Sequence, residues 1–547
     1  MVNYFKFLLV LILLQASQSA YADKYPRNYN IDVLHYAFDL VLSDTTDEIK
    51  GTASITILFK KDDIKQFRLD LINKTTERKG KGMQIESIKL DGSNVSFTHT
   101  NDEVFIQLPT PSSSNSTLVF VIRYHGIPAD GLKIGPTKYG DRSFFSENWP
   151  NKARHWLPSV DHPYDKATSE FVVKAPSHYQ VISNGLLLEE TNVDATNRLT
   201  HWKQSVPVSC WLFVLGAADF AVQHVGEVNG KSIQTWVYAK DRDAGFYDFA
   251  EPTKRVVEFY SEYVGPYAYE KIANIAATIS GGMETSSAIF YGEKLVTGKR
   301  TKSLRNVVIH EIAHQWFGNE VTETTWDDAW LSEGFATFFT QLFIEHAYGH
   351  DEYLQGLLNS KKSIYKYYST DPDYSIIADR SAEDGPVTNV ITYQKGAWFL
   401  HMLRDLVGEE SFQKGIQSYY SQFMNSNATT VGFLNAMEKA SGKSLKAFFN
   451  QWLYHSENMM IKGSWKYDNA KKEVFIKLDQ SQQKKYLFDV PVEIGIYTAD
   501  SLLPKISTFK MNTKITEFTI PVNSKPDKVI FDPRTVLLAN VEFGEEH

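Results

Sequence analysis

The chain has 547 residues, 43% of them hydrophobic and 22% charged, and a formal net charge of −8. That length is too great for one ordinary core and implies about three domains, with the composition of a soluble globular protein. With 57 basic against 65 acidic side chains, there is no excess of positive charge to suit a nucleic-acid partner.

The N-terminus reads as a secretory leader. Lys6 is followed by an apolar run at residues 7–14, and Ala20-Tyr21-Ala22 fits the small-x-small rule for cleavage after Ala22. The run is too short for a stable membrane span. A secreted or periplasmic protein beginning at Asp23 is expected, and an uncleaved anchor is the alternative. Cys210 is the only cysteine, so no internal disulfide is available. Asn73, Asn94, Asn115 and Asn427 each open a glycosylation tripeptide, which matters only in a eukaryotic host.

Residues 23–215 predict an all-β domain. Alternation at 52–59 and 117–124 reads as strand, and Asp91-Gly92 and Asn184-Gly185 read as turns. An aromatic, proline-rich segment at 144–164 holds Trp149, Pro150, His155, Trp156 and Pro158. It is either a packing plug or a cleft wall, and the plug is the preferred reading.

Residues 216–460 change to helical spacing. Pro252 opens a helix running to 263, and residues 272–279 read as a strand that ends in Gly281-Gly282-Met283-Glu284. Further amphipathic helices are expected at 397–406 and 433–454. Alternation returns in 461–547, with a hairpin near 465–478 and strands at 488–497 and 517–521, enough for a small C-terminal β-sandwich. The expected fold class is multidomain α+β.

Inside the helical region the chain reads His310-Glu-Ile-Ala-His314 and later Trp-Leu-Ser-Glu333-Gly. Two histidines four apart share one helix face, so two ring nitrogens can hold one metal ion, usually zinc. Glu311 lies beside them and is placed to take a proton from a water at the metal. A catalytic zinc site needs a third protein ligand, and Glu333 is the candidate. The plainer alternative makes both histidines polar residues on a helix flank. The apolar surroundings, Val307, Val308, Ile309, Ile312 and Ala313, argue for the metal, because burying unpaired polar groups is costly.

Gly281 and Gly282 leave backbone open to a substrate strand, and Glu284 adds a negative charge at the same place. Alone, that segment could be only a turn. Tyr393, in Thr392-Tyr-Gln-Lys-Gly396, is equally plain by itself.

Taken together, H-E-I-A-H at 310–314, W-L-S-E-G-F-A at 330–336, G-G-M-E at 281–284 and Y-Q-K-G at 393–396 resemble the M1 family of zinc aminopeptidases, the gluzincins. The resemblance implies a thermolysin-like α/β catalytic domain at 216–460. It implies one zinc ion per chain on His310, His314 and Glu333, with Glu311 as general base. It further implies that Tyr393 stabilises the oxyanion, that Glu284 binds the free α-amino group, and that Gly281, Gly282 and Met283 align a peptide with a free N-terminus. Thr285 stands where the family has Asn, and Glu147 or Asn148 is expected near the first side-chain pocket. The large C-terminal helical domain of many members is expected to be absent. An epoxide hydrolase on the same site and an inactive binding scaffold are the competing readings. Retention of Glu311, Glu333 and Tyr393 argues against the scaffold.

Overall fold

The structure, a computed structural model, describes residues 23–377, 387–482, 486–499 and 503–546. The expected leader, residues 1–22, lies outside the described residues. No helix among those described is long and apolar enough to cross a membrane.

Residues from Ile31 to Ala218 are built from strands. Ile49–Phe59 turns Ile49, Ala53, Ile55, Ile57 and Phe59 inward on alternate positions, the period expected of a strand with one buried face. It lies between Ile31–Val41 and Ser116–Ile127 in an eight-stranded sheet. Sheets of four and three strands complete the region. The aromatic segment forms the plug. Trp156 is fully buried, and its Nε1 donates to Asn148 Oδ1 at 2.9 Å. The Asn148 amide in turn donates to the Phe213 carbonyl at 2.8 Å. The same segment reaches outward, because Trp149 meets Trp211 and Trp326 edge-on with ring centroids 4.8 and 4.6 Å apart. Trp326 sits on the loop that leads to Glu333, so the plug joins the β region to the candidate site.

A five-stranded sheet follows, in the order Phe220–Val228, Lys231–Tyr238, Lys271–Ala277, Ala288–Gly292, Gly282–Met283. Its short edge strand runs antiparallel to Ala288–Gly292 and places the G-G-M-E segment beside the helices. The helix Lys302–Ala313 is capped by Thr301, whose hydroxyl accepts from Leu304 N at 3.2 Å. The helix Trp330–Tyr348 is buried around most of its circumference through its first four turns, so it runs through the core of this region. The single helix expected at 433–454 is broken. Thr430–Ser441 ends at Gly442 in the left-handed region, φ 67°, a helix-ending signal that the periodicity masked. A new turn starts at Lys446–Phe449 and widens into Asn450–Tyr454.

The C-terminal strands form one sheet of four, Ile515–Pro521, Glu473–Gln480, Met459–Asp468 and Ala539–Glu545, and one of three, Lys505–Met511, Val490–Tyr497 and Lys528–Phe531. Phe509 stacks on Phe518 between them at 3.6 Å.

Candidate metal centre and cleft

His310 and His314 lie on one face at the end of the Lys302–Ala313 helix, and Glu333 enters from the first turn of Trp330–Tyr348. The two Nε2 atoms are 3.1 Å apart. Glu333 Oε2 is 3.4 Å from His310 Nε2 and 3.2 Å from His314 Nε2. Ligand atoms around one tetrahedral zinc ion stand about 3.3–3.4 Å apart, so this triangle has the size such an ion requires. Glu333 Oε2 is buried with no hydrogen-bond partner, which leaves its lone pairs aimed at the same point. The residues fit a metal.

The supporting contacts are specific. His314 Nδ1 lies 3.1 Å from the Phe317 carbonyl and 3.0 Å from Ser332 Oγ. Donation from Nδ1 to the carbonyl leaves Nε2 with its lone pair toward the ion. The turn after the helix passes through Gly318, φ 107°. A Cβ there would lie 2.2 Å from Ser332 Oγ and 3.2 Å from His314 Nδ1. Gly318→Ala is therefore expected to lower stability by about 1–3 kcal/mol and to reduce bound metal, as read by thermal melting and metal analysis. An unchanged metal content would contradict the link.

Tyr393 is brought in by close helix packing. A Cβ on Gly334 would come within 3.1 Å of Gly396 Cα, so this glycine pair lets the two helices touch one residue from Glu333 and three from Tyr393. Tyr393 lies in the π-turn Ile391–Lys395, a widened turn of the kind common at functional sites. Its hydroxyl donates to Glu333 Oε1 at 2.5 Å, and its ring stacks on that of His310 with centroids 6.0 Å apart. Burial, the Glu333 charge and this bond all raise its pKa, so it is held as a proton donor.

Glu284, Glu311 and His314 form a second cluster whose ligand atoms lie within 4.8 Å of one another. Glu311 thus stands beside the metal triangle rather than in it. Gly282 is shaped to Glu311, since a Cβ there would fall 2.2 Å from Oε1. Gly281 has φ 75° and faces open space. Met283 is buried. Burial raises the pKa of Glu284 and drives that of Glu311 well up, with the charge of Glu284 adding to the latter. Burial alone would lower His314, yet Glu284, Glu333 and Glu311 together raise it to about 10. Three carboxyl groups crowded around one imidazole are an arrangement that a bound cation would suit.

Several site residues carry no periodic signal. Gln315 and Asn319, in the run just after His314, donate to the Glu284 carbonyl at 3.0 and 2.6 Å. Ser332 supports His314 as described. The available clue was that Ser332 lies inside one quoted motif and that Gln315 and Asn319 follow another closely. Thr285 bonds the Ala288 carbonyl and is fully buried, so it closes the loop that follows Glu284. Asn148 is engaged by Phe213 and Trp156 inside the β region, and Glu147 is ion-paired with Lys133. Asn427 donates to the carbonyls of Pro163 and Glu323, so its amide is committed to packing and not free for a glycan.

Glu323 was not foreseen. It is 1% exposed, and neither carboxylate oxygen has a hydrogen-bond partner. Burial raises its pKa from 4.5 to about 8, with Glu284 and Glu333 adding to the push. The folded chain then keeps a proton that the unfolded chain has lost. This stabilising contribution is complete below pH 4.5 and is lost as the pH rises to about 8. Glu323→Gln is expected to flatten the fall in melting temperature between pH 6 and pH 9. An unchanged slope would show that Glu323 is ionised in the fold.

Comparison with known proteins gives the family. The model of the peptidase M1 N-terminal domain matches residues 29–212, and that of the peptidase family M1 domain matches residues 249–452. The chain belongs to peptidase family M1. It is 31% identical to the glutamyl aminopeptidase of Rattus norvegicus over 64% of this chain and 39% of that protein. It is 29% identical to probable aminopeptidase 2 of Sulfurisphaera tokodaii over 68% of this chain and 48% of that protein. This M1 chain therefore spans less than half the length of these relatives. It shares its fold with an M1 zinc metallopeptidase from Deinococcus radiodurans at TM-score 0.64 and 24% identity, over 77% of this chain and 93% of that one.

Proposed function

We propose that this chain is an exported zinc-dependent aminopeptidase, with a β-rich N-terminal domain, a central catalytic domain and a small C-terminal β-sandwich. The observation that carries the reading is the triangle of His310, His314 and Glu333 lying next to a buried carboxylate, Glu284, at the end of a glycine-lined edge strand. Zinc on that triangle would supply a Lewis acid and lower the pKa of water at the site to about 7.

The chain's own groups do the rest. Gly281 and Gly282 leave the edge strand open for the substrate backbone to lie along. Glu284 takes the substrate α-ammonium in a charge-assisted contact, which an internal peptide segment cannot supply. Glu311 removes a proton from the attacking water as the new C–O bond forms, and returns it to the departing amine as the C–N bond breaks. Tyr393 turns its hydroxyl from Glu333 to the oxygen that gains negative charge. The preference for the chain end follows from Glu284 standing one residue from the scissile bond.

Glu284→Gln is expected to raise KM for free-amine peptides by roughly ten- to a hundredfold, with a smaller fall in kcat. An unchanged KM would remove Glu284 as the anchor. Export rests on Lys6, the apolar run at 7–14 and Ala20-Tyr21-Ala22. N-terminal sequencing of the protein recovered from the medium or periplasm should read Asp23 first, and a chain still beginning at Met1 would count against it.

A further inference from the structure

Glu284 opens the loop between Gly282–Met283 and Ala288–Gly292, and that loop is pinned from two sides. From the metal helix side, Gln315 and Asn319 hold the Glu284 carbonyl, and Gln315 Oε1 accepts from Ser287 N at 2.9 Å. From the other side comes the turn Ser183-Asn184-Gly185 of the N-terminal β region. Asn184 Nδ2 donates to the Ser286 carbonyl at 2.7 Å and to the Leu212 carbonyl at 3.0 Å, while its Oδ1 accepts from Val214 N at 2.7 Å. Gly185 N donates to Ser287 Oγ at 2.8 Å, and that hydroxyl donates onward to Gln204 Oε1 at 3.3 Å.

The turn is itself fixed. Lys271 Nζ donates to the carbonyls of Ser183 and Gly185 at 2.8 and 2.6 Å. Gly185 has φ 76°, and a Cβ there would lie 1.8 Å from the Lys203 carbonyl oxygen, so no other residue fits. Ser287 is held in the left-handed region at φ 63°, a conformation a non-glycine residue keeps only when its surroundings impose it. Asn184, Ser286 and Ser287 are buried to 1% exposure or less, so these bonds are shielded from competing water.

We propose that Asn184 and Ser287 are positioning residues through which the N-terminal β domain sets the amine-binding carboxylate of Glu284, making recognition of a free N-terminus a property of the two domains together. This rests on the reading of Glu284 as the amine anchor. A carboxylate that must meet an ammonium one residue from the scissile bond needs a fixed backbone, and its loop has no helix or long strand to fix it. Bonds from a second domain supply that rigidity.

The test uses the full zinc-loaded chain and two ligands: a short peptide with a free N-terminus, and its des-amino analogue as a competitive inhibitor. Asn184→Asp keeps the acceptor for Val214 N but sets a carboxylate against the Leu212 and Ser286 carbonyls. Ser287→Ala removes only the bonds to Gly185 and Gln204, and carries the test if the first variant folds poorly. Each is expected to raise KM for the free-amine peptide about tenfold, the scale of one weakened charge-assisted contact. Each should change kcat less than about threefold and leave inhibition by the des-amino analogue unchanged. Combined with Glu284→Gln, neither should add a further loss. Unchanged KM in both variants, or equal losses for both ligands with full additivity to Glu284→Gln, would overturn the proposal. If Glu284→Gln alone leaves KM unchanged, the amine-anchor reading fails instead.

Discussion

Glu311→Gln is expected to lower kcat by roughly 10²–10⁴-fold, the usual contribution of a positioned general base, while zinc content and fold are retained. The amide has nearly the volume of the carboxylate, and Glu311 is not one of the three atoms of the metal triangle. It does stand against Gly282 on the edge strand and within the cluster that includes His314. That is where a base must sit to serve a water shared between metal and substrate. The loss should fall on kcat and kcat/KM alike, because the proton moves only in the transition state. The variant, freed of a buried carboxylate beside Glu284, should also be at least as stable as the parent at neutral pH. Normal turnover with normal zinc would assign the base elsewhere. Lost zinc would place Glu311 among the ligands.

Tyr393→Phe is expected to reduce kcat by about 10²–10³-fold, the scale of one oxyanion donor, with KM nearly unchanged. The hydroxyl is held ready by Glu333 Oε1 at 2.5 Å, so it needs only a change of acceptor to meet a substrate oxygen. The same bond adds a second effect. Its loss frees one oxygen of a metal ligand, so zinc affinity should fall modestly, and activity must be measured with zinc saturated. Full activity under those conditions would reject Tyr393 as a donor. Loss recovered wholly by added zinc would make it a support for Glu333 alone.

How much of this could be read in the chain depends on the kind of contact. His310 and His314 were legible because a helix has a fixed period, and Glu333 because its motif is local. The strands at Ile49–Phe59 and Ser116–Ile127 were legible for the same reason, through alternation. The end of the helix at Gly442 was not, because apolar residues on both sides continue the pattern across the break. The contacts that hold Glu284 were invisible. Asn184 lies 102 residues from Ser286, and Gln315 lies 31 from Glu284. A side-chain amide bonding a distant carbonyl leaves no period and no composition bias. Asn184-Gly185 was read only as a turn, and Asn148 only as a polar neighbour of a cleft. The role of each depends on which backbone it faces in three dimensions. Glu323 could not be foreseen either, since a buried acid and an exposed one look alike in sequence.

The central claim is that this site trims peptides from a free amino end and depends on a metal. The most direct measurement is cleavage of a matched peptide pair, one free and one N-acetylated, with and without a chelator. The account predicts stepwise removal of residues from the free peptide only, abolished by the chelator and restored by zinc. Equal cleavage of both peptides, or cleavage indifferent to chelation, would contradict it.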